Sequence, residues 1–321
     1  MEPMLLKPVG KDNLWGGTRL KTEFYKDIPI TPLAETWECS AHPEGPSTIV
    51  NGGFAGRTLT EVLKLHPEFL GTKVDKRYGL PILVKFIDAK QSLSIQVHPE
   101  DAYARKHEQG FGKTEMWYVL DAGPNAFLIQ GFAHDVTETM LRKSVADGDL
   151  DKHLNKVRIH KGDVFFNPAG TIHGIGAGCL LVEIQESSNV TYRVYDYDRT
   201  DKNGHKRELH VDKDLQVMDM KVRPCYEQRA RLVRYYPGCS REILCRCRYF
   251  ETERLQVTRG AAFTVQPTSF QILLCVNGEG GLATDESQWS LRFKKGDCIF
   301  IPAGLGRCFV TGECELLKVR V

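Results

Sequence analysis

Short apolar segments separated by Gly, Pro and Asn make up most of the chain. They are rich in Val, Ile, Phe and Tyr, and the clearest of them cover residues 80–89, 116–121, 164–168, 180–184, 270–278 and 298–302. Many short apolar segments with turn residues between them are typical of a β-barrel or a β-sandwich. The pattern therefore predicts a mainly β protein.

Two longer segments depart from this pattern and are predicted to be helices. The first covers residues 58–70, where Thr58 and Glu61 have the spacing of a capping box. The second covers residues 136–154 and follows Asp135, a residue type that caps helix N-termini. We expect both segments to form helical insertions that cover a β core.

An internal repeat indicates the domain organisation. Residues 161–170 and 295–304 are identical at seven of ten positions. A repeat of strand and turn residues indicates two copies of one structural unit, and a chain of 321 residues is long enough for two domains. We therefore predict a first domain at residues 1–222 and a second at residues 223–321, with the boundary near residues 218–228.

The charge and hydrophobicity of the chain narrow its possible partners. Forty-three basic and forty-one acidic side chains leave a net charge of +2 without a run of basic residues, so we expect no nucleic-acid partner. No segment has the roughly 20 apolar residues of a membrane span, and the N-terminus lacks the apolar core of a signal peptide. We expect a cytoplasmic protein that binds no membrane.

The ten cysteines do not indicate a disulfide framework. Eight of them lie beyond residue 224, and none has the paired spacing of a zinc knuckle. Cys245 and Cys247 would share one face of a strand. Since free cysteine commonly behaves as a small buried apolar residue, we interpret the cysteines as reduced structural thiols.

The first copy of the repeat is followed by a histidine at a distinctive spacing. Gly162 is followed by five residues, then by Pro168-Ala169-Gly170, two further residues and His173. This spacing resembles the second sequence motif of the cupin superfamily, in which the histidine begins a strand that lines the barrel. The resemblance implies a mainly β fold of two cupin (jelly-roll) barrels with helical insertions in the first unit.

Three upstream residues could complete a metal site with His173. Gln96 and His98 share one face of a predicted strand, and Glu115 opens the next apolar run. Two imidazoles, a carboxylate and an amide oxygen suit a borderline divalent ion, for which zinc is the first choice. Such an ion could polarise a hydroxyl and a carbonyl of one substrate.

The second copy of the repeat serves as an internal control. Alignment of the two copies places Phe270 opposite Glu115 and Arg307 opposite His173. The second unit thus lacks both the carboxylate and the imidazole. We therefore expect one metal ion per chain, bound in the first domain.

Further motifs extend the resemblance to a particular enzyme family. They are Asn13-Leu14-Trp15-Gly16-Gly17, residues 92–101, Gly112-Lys113-Thr114-Glu115 and Thr191-Tyr192-Arg193-Val194-Tyr195-Asp196. With these motifs the chain resembles the type I mannose-6-phosphate isomerases. Residues 192–199 followed by Arg207-Glu208-Leu209-His210 are characteristic of the short bacterial form. The resemblance spans nearly the whole chain in order.

The resemblance implies a reversible conversion of mannose 6-phosphate to fructose 6-phosphate through an enediol. It places zinc on Gln96, His98, Glu115 and His173. In this family the position of Arg193 is regarded as catalytic, and Lys113 is expected to point into the same cavity by strand alternation. Both cations could stabilise the negative charge that develops on the enediolate oxygen.

Three other residues are expected at the substrate. Lys85 and Ser94 match family positions that could hold the phosphate by charge and hydroxyl donation. Glu183 could bind the substrate, support the metal ligands or exchange a proton. Many family members have an aspartate four residues before the catalytic arginine, where this chain has Asn189, which cannot act as a general base.

Two other function classes are compatible with the residues. Two histidines and a carboxylate also resemble the ligands of a non-haem iron dioxygenase, although Gln96 argues against that class. A non-catalytic bicupin that binds or stores sugar would need the barrels but neither Lys113 nor Arg193. The residues favour no particular oligomeric state.

Overall fold

The computed structural model describes residues 1–200, 204–222, 230–285 and 290–321. In these ranges the strands are β1 Met4–Lys7, β2 Val9–Lys11, β3 Glu35–Cys39, β4 Thr48–Ile49, β5 Ile82–Ala89, β6 Ile95–Val97, β7 Glu115–Ala122, β8 Phe127–Phe132, β9 Leu154–Arg158, β10 Val164–Asn167, β11 His173–Ile175, β12 Cys179–Glu186, β13 Tyr192–Tyr195, β14 Val233–Tyr236, β15 Cys239–Arg246, β16 Glu251–Val257, β17 Gly260–Val265, β18 Gln271–Thr284, β19 Leu291–Lys294, β20 Cys298–Ile301 and β21 Gly306–Arg320. The α-helices are α1 Arg19–Phe24, α2 Leu59–Leu65, α3 Asp101–His107, α4 Glu138–Asp147 and α5 Val211–Val217. None of these helices is long and apolar enough to cross a membrane.

The strands form three antiparallel sheets. The first unit contains a six-stranded sheet of order β10-β7-β12-β5-β3-β2 and a five-stranded sheet of order β13-β6-β11-β8-β9. The third sheet follows the order β14-β15-β16-β21-β18-β20-β1-β4, with β17 added on β21 and β19 on β18. The prediction of a mainly β protein with helical insertions in the first unit is confirmed. The prediction of two barrels is not confirmed, because each sheet is open and ends in edge strands within the described ranges.

An apolar layer between the six-stranded and five-stranded sheets forms the core behind the site. Trp117, Val119 and Leu181 of the six-stranded sheet pack with Leu128 and Ile175 of the five-stranded sheet in one buried cluster. Side chains on a strand alternate between its two faces. The two sheets therefore form a sandwich whose inner faces carry both apolar and ionisable side chains.

The sequence repeat recurs as a structural repeat. Gly162 and Gly296 both have positive φ, +92° and +95°, in the turns that lead into β10 and β20. In each turn the aspartate that follows, Asp163 or Asp297, accepts a backbone N–H bond of 2.8 Å from the residue three positions earlier. Glycine reaches positive φ without a steric penalty. The identical residues of the repeat thus include those that form its turn.

The N-terminal strand links the two units. β1 pairs with β20, with Leu5 opposite Ile299 in the register, and so joins the third sheet. One buried cluster also contains Phe86 from the first unit and Phe270 and Phe300 from the second. The division at residues 1–222 and 223–321 stays a prediction, and residues 223–229 lie outside the described ranges.

Helix α2 begins where the sequence predicts and ends earlier. Thr58 Oγ1 accepts the N–H of Glu61 at 3.2 Å, and Glu61 Oε2 accepts the N–H of Thr58 at 2.8 Å, so the predicted capping box is confirmed. The helix stops at Leu65, and residues 67–70 form a separate 3₁₀ turn. Pro67 causes this break, because proline disfavours helical geometry in the residue before it.

Helix α4 is shorter than the segment predicted from the sequence. Its N-cap is Thr137, which accepts the N–H of Met140 at 3.3 Å, and its C-cap is Gly148 in the left-handed conformation. Asp135 does not cap the helix, since its carboxylate accepts the N–H of Val222 at 2.8 Å and pairs with Lys221. Because the carboxylate of Asp135 is engaged by residues 221 and 222, Thr137 caps the helix instead.

A buried ion pair lies where the second unit contacts the first. Lys26 donates to Glu38 on β3, with 2.7 Å between Nζ and Oε2, and to the carbonyl oxygen of Gly296 in the repeat turn. Burial raises the pKa of Glu38, although the charge of Lys26 acts in the opposite direction. Removing one partner of a buried pair leaves the other charge uncompensated. The docking of this turn therefore depends on both side chains.

Replacing Lys26 by Met should destabilise the protein by about 3 to 5 kcal/mol, because Glu38 would stay buried without a partner. The double variant Lys26→Met, Glu38→Leu should recover much of this loss, since neither charge is then buried. Urea denaturation followed by circular dichroism measures both effects. Equal stability of the single and the double variant would contradict the role assigned to the buried charge.

Candidate active site

Three predicted site residues lie side by side on the five-stranded sheet. Gln96 on β6 is paired in register with His173 on β11 and with Arg193 on β13. Directly opposite residues on antiparallel strands project their side chains to the same face of the sheet. The three side chains therefore form one row, and Gln96 Nε2 lies 3.4 Å from His173 Nε2.

A second row lies on the six-stranded sheet. Glu183 on β12 is in register with Lys85 on β5 and with Trp117 on β7, and Lys85 is in register with Trp37 on β3. Lys85 Nζ donates to Glu183 Oε1 and Trp117 Nε1 donates to Glu183 Oε2, each at 3.0 Å. The ammonium of Lys85 also lies 5.3 Å from the ring centroid of Trp37. The buried carboxylate is thus held from both neighbouring strands.

The three strongest candidate metal ligands form one buried cluster. Ligand atoms of His98, Glu115 and His173 all lie within 4.8 Å of one another. Glu115 Oε1 lies 3.3 Å from His173 Nε2, and Glu115 Oε2 lies 3.6 Å from His98 Nε2. Glu115 and His173 open their strands as predicted, whereas His98 follows the last residue of β6, Val97.

Backbone contacts favour the tautomer that carries its proton on Nδ1 in both His98 and His173. His98 Nδ1 lies 2.9 Å from the carbonyl oxygen of Val190, and His173 Nδ1 lies 2.8 Å from that of Thr171. A carbonyl oxygen requires that Nδ1 carry the proton, which leaves Nε2 with a free lone pair toward Glu115. Burial and the nearby charge of Lys113 lower the pKa of both rings, that of His173 to about 4. Both imidazoles are therefore neutral near pH 7, as metal ligands must be.

The carboxylate of Glu115 fits a bound cation. Its side chain is fully buried, and neither oxygen receives a hydrogen bond of good geometry. Lys113 Nζ lies 3.0 Å from Oε2 of Glu115, which makes an ion pair without satisfying both oxygens. Burial, together with the charge of Glu183, raises the pKa of Glu115. A divalent cation between this carboxylate and the Nε2 atoms of His98 and His173 would give the carboxylate the partner that it lacks.

Lys113 connects the cluster to the second row. It lies in the segment before β7, and its Nζ is 3.1 Å from His98 Nε2 and 3.9 Å from Glu183 Oε1. Burial alone would raise the pKa of Glu183, but the charges of Lys85 and Lys113 and the hydrogen bonds from Lys85 and Trp117 bring it down to about 2. Glu183 is therefore an ionised hydrogen-bond acceptor at neutral pH.

A cavity of about 430 Å³ opens between the two rows. Among its seventeen lining residues, five are Lys or Arg and three are Glu. Six of the nine predicted site residues line it: Lys85, Ser94, Gln96, Lys113, Glu183 and Arg193. The other three, His98, Glu115 and His173, form the buried cluster that Gln96 and Lys113 contact. The structure thus brings all nine predicted residues together around one cationic cavity.

Eleven of the seventeen lining residues were not predicted as site residues, and four charged residues and a tryptophan among them matter most for the chemistry of the cavity. They are Lys11, Glu35, Trp37, Glu44 and Arg207. Arg207 stood in a motif typical of the short bacterial form, so that motif could have indicated it. The other four come from β2, β3 or the segment after β3, and carried no local signal. Strand β3 reaches the cavity only through its pairing with β5.

Asn189, where the sequence departs from the family pattern, also lines the cavity. Its Nδ2 donates to Glu44 Oε2 at 2.7 Å. An amide can donate and accept hydrogen bonds but cannot take up a proton near neutral pH. This position therefore serves hydrogen bonding in this chain.

Residues in the segment after β13 form hydrogen bonds with both the backbone and the guanidinium of Arg193. His210 donates its N–H to Arg193 O at 2.9 Å, and His210 Nδ1 accepts the N–H of Arg193 at 3.0 Å. Arg193 Nη1 donates to the carbonyl oxygen of Glu208 at 2.7 Å, while its buried Nε has no partner. Burial, together with the charge of Arg207, lowers the pKa of Arg193. The backbone and one end of this guanidinium are therefore fixed before any ligand binds.

The second unit lacks an equivalent cluster in the part of the chain that the structure describes. Phe270 is fully buried and stacks on Phe300, with 5.2 Å between ring centroids. Arg307 is exposed, and its guanidinium lies 4.8 Å from the ring centroid of Phe309. The cluster of His98, Glu115 and His173 is the one candidate metal group found among the described residues. The alignment of Phe270 with Glu115 is wrong by one position, because Gln271 pairs with Ile301 as Glu115 pairs with Asn167.

Comparisons with known proteins identify the family. Residues 4–122 match the profile of the phosphomannose isomerase type I catalytic domain, and residues 241–321 match the mannose-6-phosphate isomerase cupin domain. A mannose-6-phosphate isomerase of Bacillus subtilis is 37% identical over 317 residues, which cover 98% of each chain. The chain belongs to the type I phosphomannose isomerase family. The resemblance inferred from its motifs is confirmed.

Other members of this family agree over the same length. The mannose-6-phosphate isomerase of Streptococcus mutans is 36% identical to this chain, and the match covers 98% of this chain and 97% of the relative. The crystal structure of the Bacillus subtilis mannose 6-phosphate isomerase superimposes with a TM-score of 0.92 at 35% identity and covers all of both chains. The cupin-type fold predicted from the sequence is therefore confirmed.

Behind Arg193, α5 carries a buried carboxylate without a partner. Asp214 is 0% exposed, and neither of its oxygens has a hydrogen-bond partner. Burial raises the pKa of Asp214 to about 8, although the charge of Arg193 acts in the opposite direction. The folded state therefore binds a proton here that the unfolded chain releases near pH 4. This contribution to stability is complete at low pH and is lost as the pH rises through about 8.

Asp214→Asn should remove this pH dependence. Near pH 5 the variant and the parent protein should have similar melting temperatures, whereas near pH 9 the variant should be more stable by about 1 to 3 kcal/mol because no charge is then buried. Thermal unfolding followed by circular dichroism across this range measures the difference. Asp212→Asn, at an exposed position of the same helix, is the control. Parallel pH profiles for parent and Asp214→Asn would contradict the raised pKa.

Proposed function

We propose that this protein is a metal-dependent isomerase that interconverts mannose 6-phosphate and fructose 6-phosphate through an enediol. The observation that carries the proposal is the buried cluster of His98, Glu115 and His173, which adjoins a cationic cavity lined by Arg193. Family membership over nearly the full length supports the same activity. The chemistry then requires a metal, a stabilised oxyanion and a site for a sugar phosphate.

One divalent ion per chain is proposed to bind in the first unit, with zinc as the expected metal. Its ligands would be Gln96, His98, Glu115 and His173. Two neutral imidazoles with a carboxylate and an amide oxygen suit zinc better than calcium or magnesium, which prefer oxygen ligands alone. When bound, this ion supplies Lewis-acid polarisation of the substrate's carbonyl and neighbouring hydroxyl.

Arg193 and Lys113 are proposed as the catalytic cations. Both line the cavity, and both are positioned by contacts within the protein. Each can donate a hydrogen bond to the oxygen that becomes negative when a proton leaves the carbon next to the carbonyl. Donors that are fixed in advance stabilise such an oxygen more strongly than water does.

Lys85, Ser94 and Glu183 are proposed to bind and orient the substrate. All three line the cavity. The excess of Lys and Arg over Glu in its wall favours an anionic ligand such as a sugar phosphate. Glu183 is ionised at neutral pH and can accept hydrogen bonds from sugar hydroxyls.

The domain division and the cellular location of the protein are part of the same proposal. We propose that residues 1–222 form the catalytic cupin domain and residues 223–321 a second cupin domain without metal ligands. The cupin-domain match at residues 241–321 supports this division. A cytoplasmic location is supported by the nine described cysteines, which are all free, as expected in a reducing compartment.

The two competing functions fit the site less well. A dioxygenase of the two-histidine, one-carboxylate type keeps open positions for oxygen, whereas Gln96 contacts His173 in the cluster. A storage or sugar-binding bicupin has no need for cations buried at such a cluster, and Lys113 contacts both His98 and Glu115. Family membership also supports the isomerase.

Purified protein should contain about one divalent metal ion per chain, because the ligands described here occur in the first unit only. Plasma mass spectrometry measures the metal, and a coupled assay measures fructose 6-phosphate formed from mannose 6-phosphate. His173→Ala should lose both metal and activity and keep its β-sheet circular dichroism, while His160→Ala, with its side chain 73% exposed, should keep both. Two metal ions per chain, or iron with oxygen uptake, would contradict this assignment.

Arg193→Ala should lower kcat by roughly a hundredfold to a thousandfold, because it removes a fixed donor to the developing oxyanion. KM should change much less, since the contact is made mainly in the transition state. Arg193→Lys should recover only part of the rate, because an ammonium cannot reproduce the planar guanidinium. Arg142→Ala, at an exposed position of α4, is the control. A tenfold rise in KM at unchanged kcat would show that Arg193 binds the phosphate instead.

A further inference from the structure

Three carboxylates line the cavity, those of Glu35, Glu44 and Glu183. An aldose becomes a ketose through an enediol only if a base moves a proton from C2 to C1. A positioned carboxylate with an accessible oxygen can perform this transfer. The contacts that each carboxylate makes within the protein decide which of the three is free to take up a substrate proton.

Two of these carboxylates are held by hydrogen-bond donors and by one shared cation. Glu35 Oε1 accepts Asn13 Nδ2 at 2.9 Å, and Glu35 Oε2 accepts the indole N–H of Trp37 at 3.0 Å. Lys85 Nζ lies 3.0 Å from Glu183 Oε1 and 3.6 Å from Glu35 Oε2. Such contacts favour the ionised form of a carboxylate. A proton taken up by Glu35 or Glu183 would therefore weaken contacts that the fold already makes.

The carboxylate of Glu44 makes fewer contacts than the other two. Its Oε2 accepts one hydrogen bond, from Asn189 Nδ2 at 2.7 Å, and its Oε1 has no hydrogen-bond partner among the described residues. Lys11 Nζ donates to the main-chain carbonyl oxygen of Glu44 at 2.9 Å and makes no ion pair with its carboxylate. Glu44 can therefore take up a proton without giving up an ion pair in the described part of the chain.

The segment that holds Glu44 also contacts the candidate metal centre. Asn189 precedes Val190, whose carbonyl oxygen lies 2.9 Å from His98 Nδ1. Thr191 and Arg193, further along the same segment, line the cavity together with Asn189 and Glu44. Glu44 is exposed to solvent although it lines the cavity, so it lies where a substrate can enter. The backbone that orients a metal ligand thus also positions this carboxylate.

We propose that Glu44 is the base that moves the proton between C2 and C1, and that Asn189 holds its carboxylate in place. This inference rests on the isomerase function proposed above. An amide at position 189 cannot take up a proton near neutral pH, but it can donate a hydrogen bond to a neighbouring carboxylate. An aspartate there would instead place a second negative charge next to Glu44 and oppose its ionisation. The two residues therefore divide the work, since Glu44 exchanges the proton and Asn189 orients it.

The proton transfers conserve all atoms and electrons. The carboxylate of Glu44 removes the proton from C2 of mannose 6-phosphate, and the electron pair of that C–H bond forms the double bond between C1 and C2. The aldehyde oxygen at C1 becomes negative and takes the proton of the C2 hydroxyl. Glu44 then returns its proton to C1, and the oxygen at C2 becomes the carbonyl oxygen of fructose 6-phosphate. No oxidant or reductant takes part.

Glu44→Gln tests the assignment, because glutamine keeps the shape of the side chain and can still accept the hydrogen bond from Asn189. In the metal-loaded enzyme this variant should lower kcat by roughly a hundredfold to ten-thousandfold, the usual contribution of a positioned base, with a much smaller change in KM. Mannose 6-phosphate deuterated at C2 should show a larger isotope effect on kcat in the variant than in the parent, because proton removal then limits the rate. Glu138→Gln, with its side chain 57% exposed on α4, is the matched control.

A double variant makes the result independent of what the single variant does to the fold. Glu44→Gln combined with Asn189→Asp exchanges the amide and the carboxylate across the same hydrogen bond, so it should recover much of the lost kcat. Unchanged kcat in Glu44→Gln, a raised KM alone, or no recovery in the double variant would overturn the assignment. A parent protein that forms no fructose 6-phosphate would overturn the proposed function itself, whereas parent activity that survives Glu44→Gln overturns only the base.

Discussion

Compensation of buried charge between the two sheets of the first unit is the constraint on which the site depends. An ionised carboxylate in a protein interior is costly unless cations and donors surround it. Glu183 on β12 receives Lys85 from β5 and Trp117 from β7, while Lys113 approaches from the segment before β7. The carboxylate is satisfied only when both neighbouring strands are in register. The same register places both lysines in the cavity wall.

The candidate metal centre extends this network. Lys113 lies within 4 Å of both Glu183 and Glu115, so the compensated carboxylate and the incompletely satisfied one share a cation. His98 and His173 are held neutral by burial and oriented by backbone carbonyl groups. Ligands that are already oriented lose little freedom when a metal binds. The protein thus presents a nearly complete set of ligand atoms before any ion arrives.

The two repeats share the same turn but differ in the side chains at equivalent positions of the neighbouring strands. The turns at Gly162 and Gly296 both have positive φ, yet the second unit has Gln271 opposite Ile301 where the first has Glu115 opposite Asn167. An amide at this position carries no negative charge that could bind a cation. The second unit contributes strands and core to the first, and Lys26 donates directly to its repeat turn. The second unit therefore packs against the first, and its described residues contain no equivalent of the His98, Glu115 and His173 cluster.

The sequence by itself determined the features that depend on local spacing. Thr58 caps its helix, and the cluster around Glu115 and His173 follows motif spacing, because turn chemistry and side-chain alternation act over a few residues. The tertiary structure alone decided that β1 pairs with β20, that the sheets stay open, and that Glu35 and Trp37 reach the cavity. These outcomes depend on the register between strands far apart in the chain, and that register is set by packing of the whole fold.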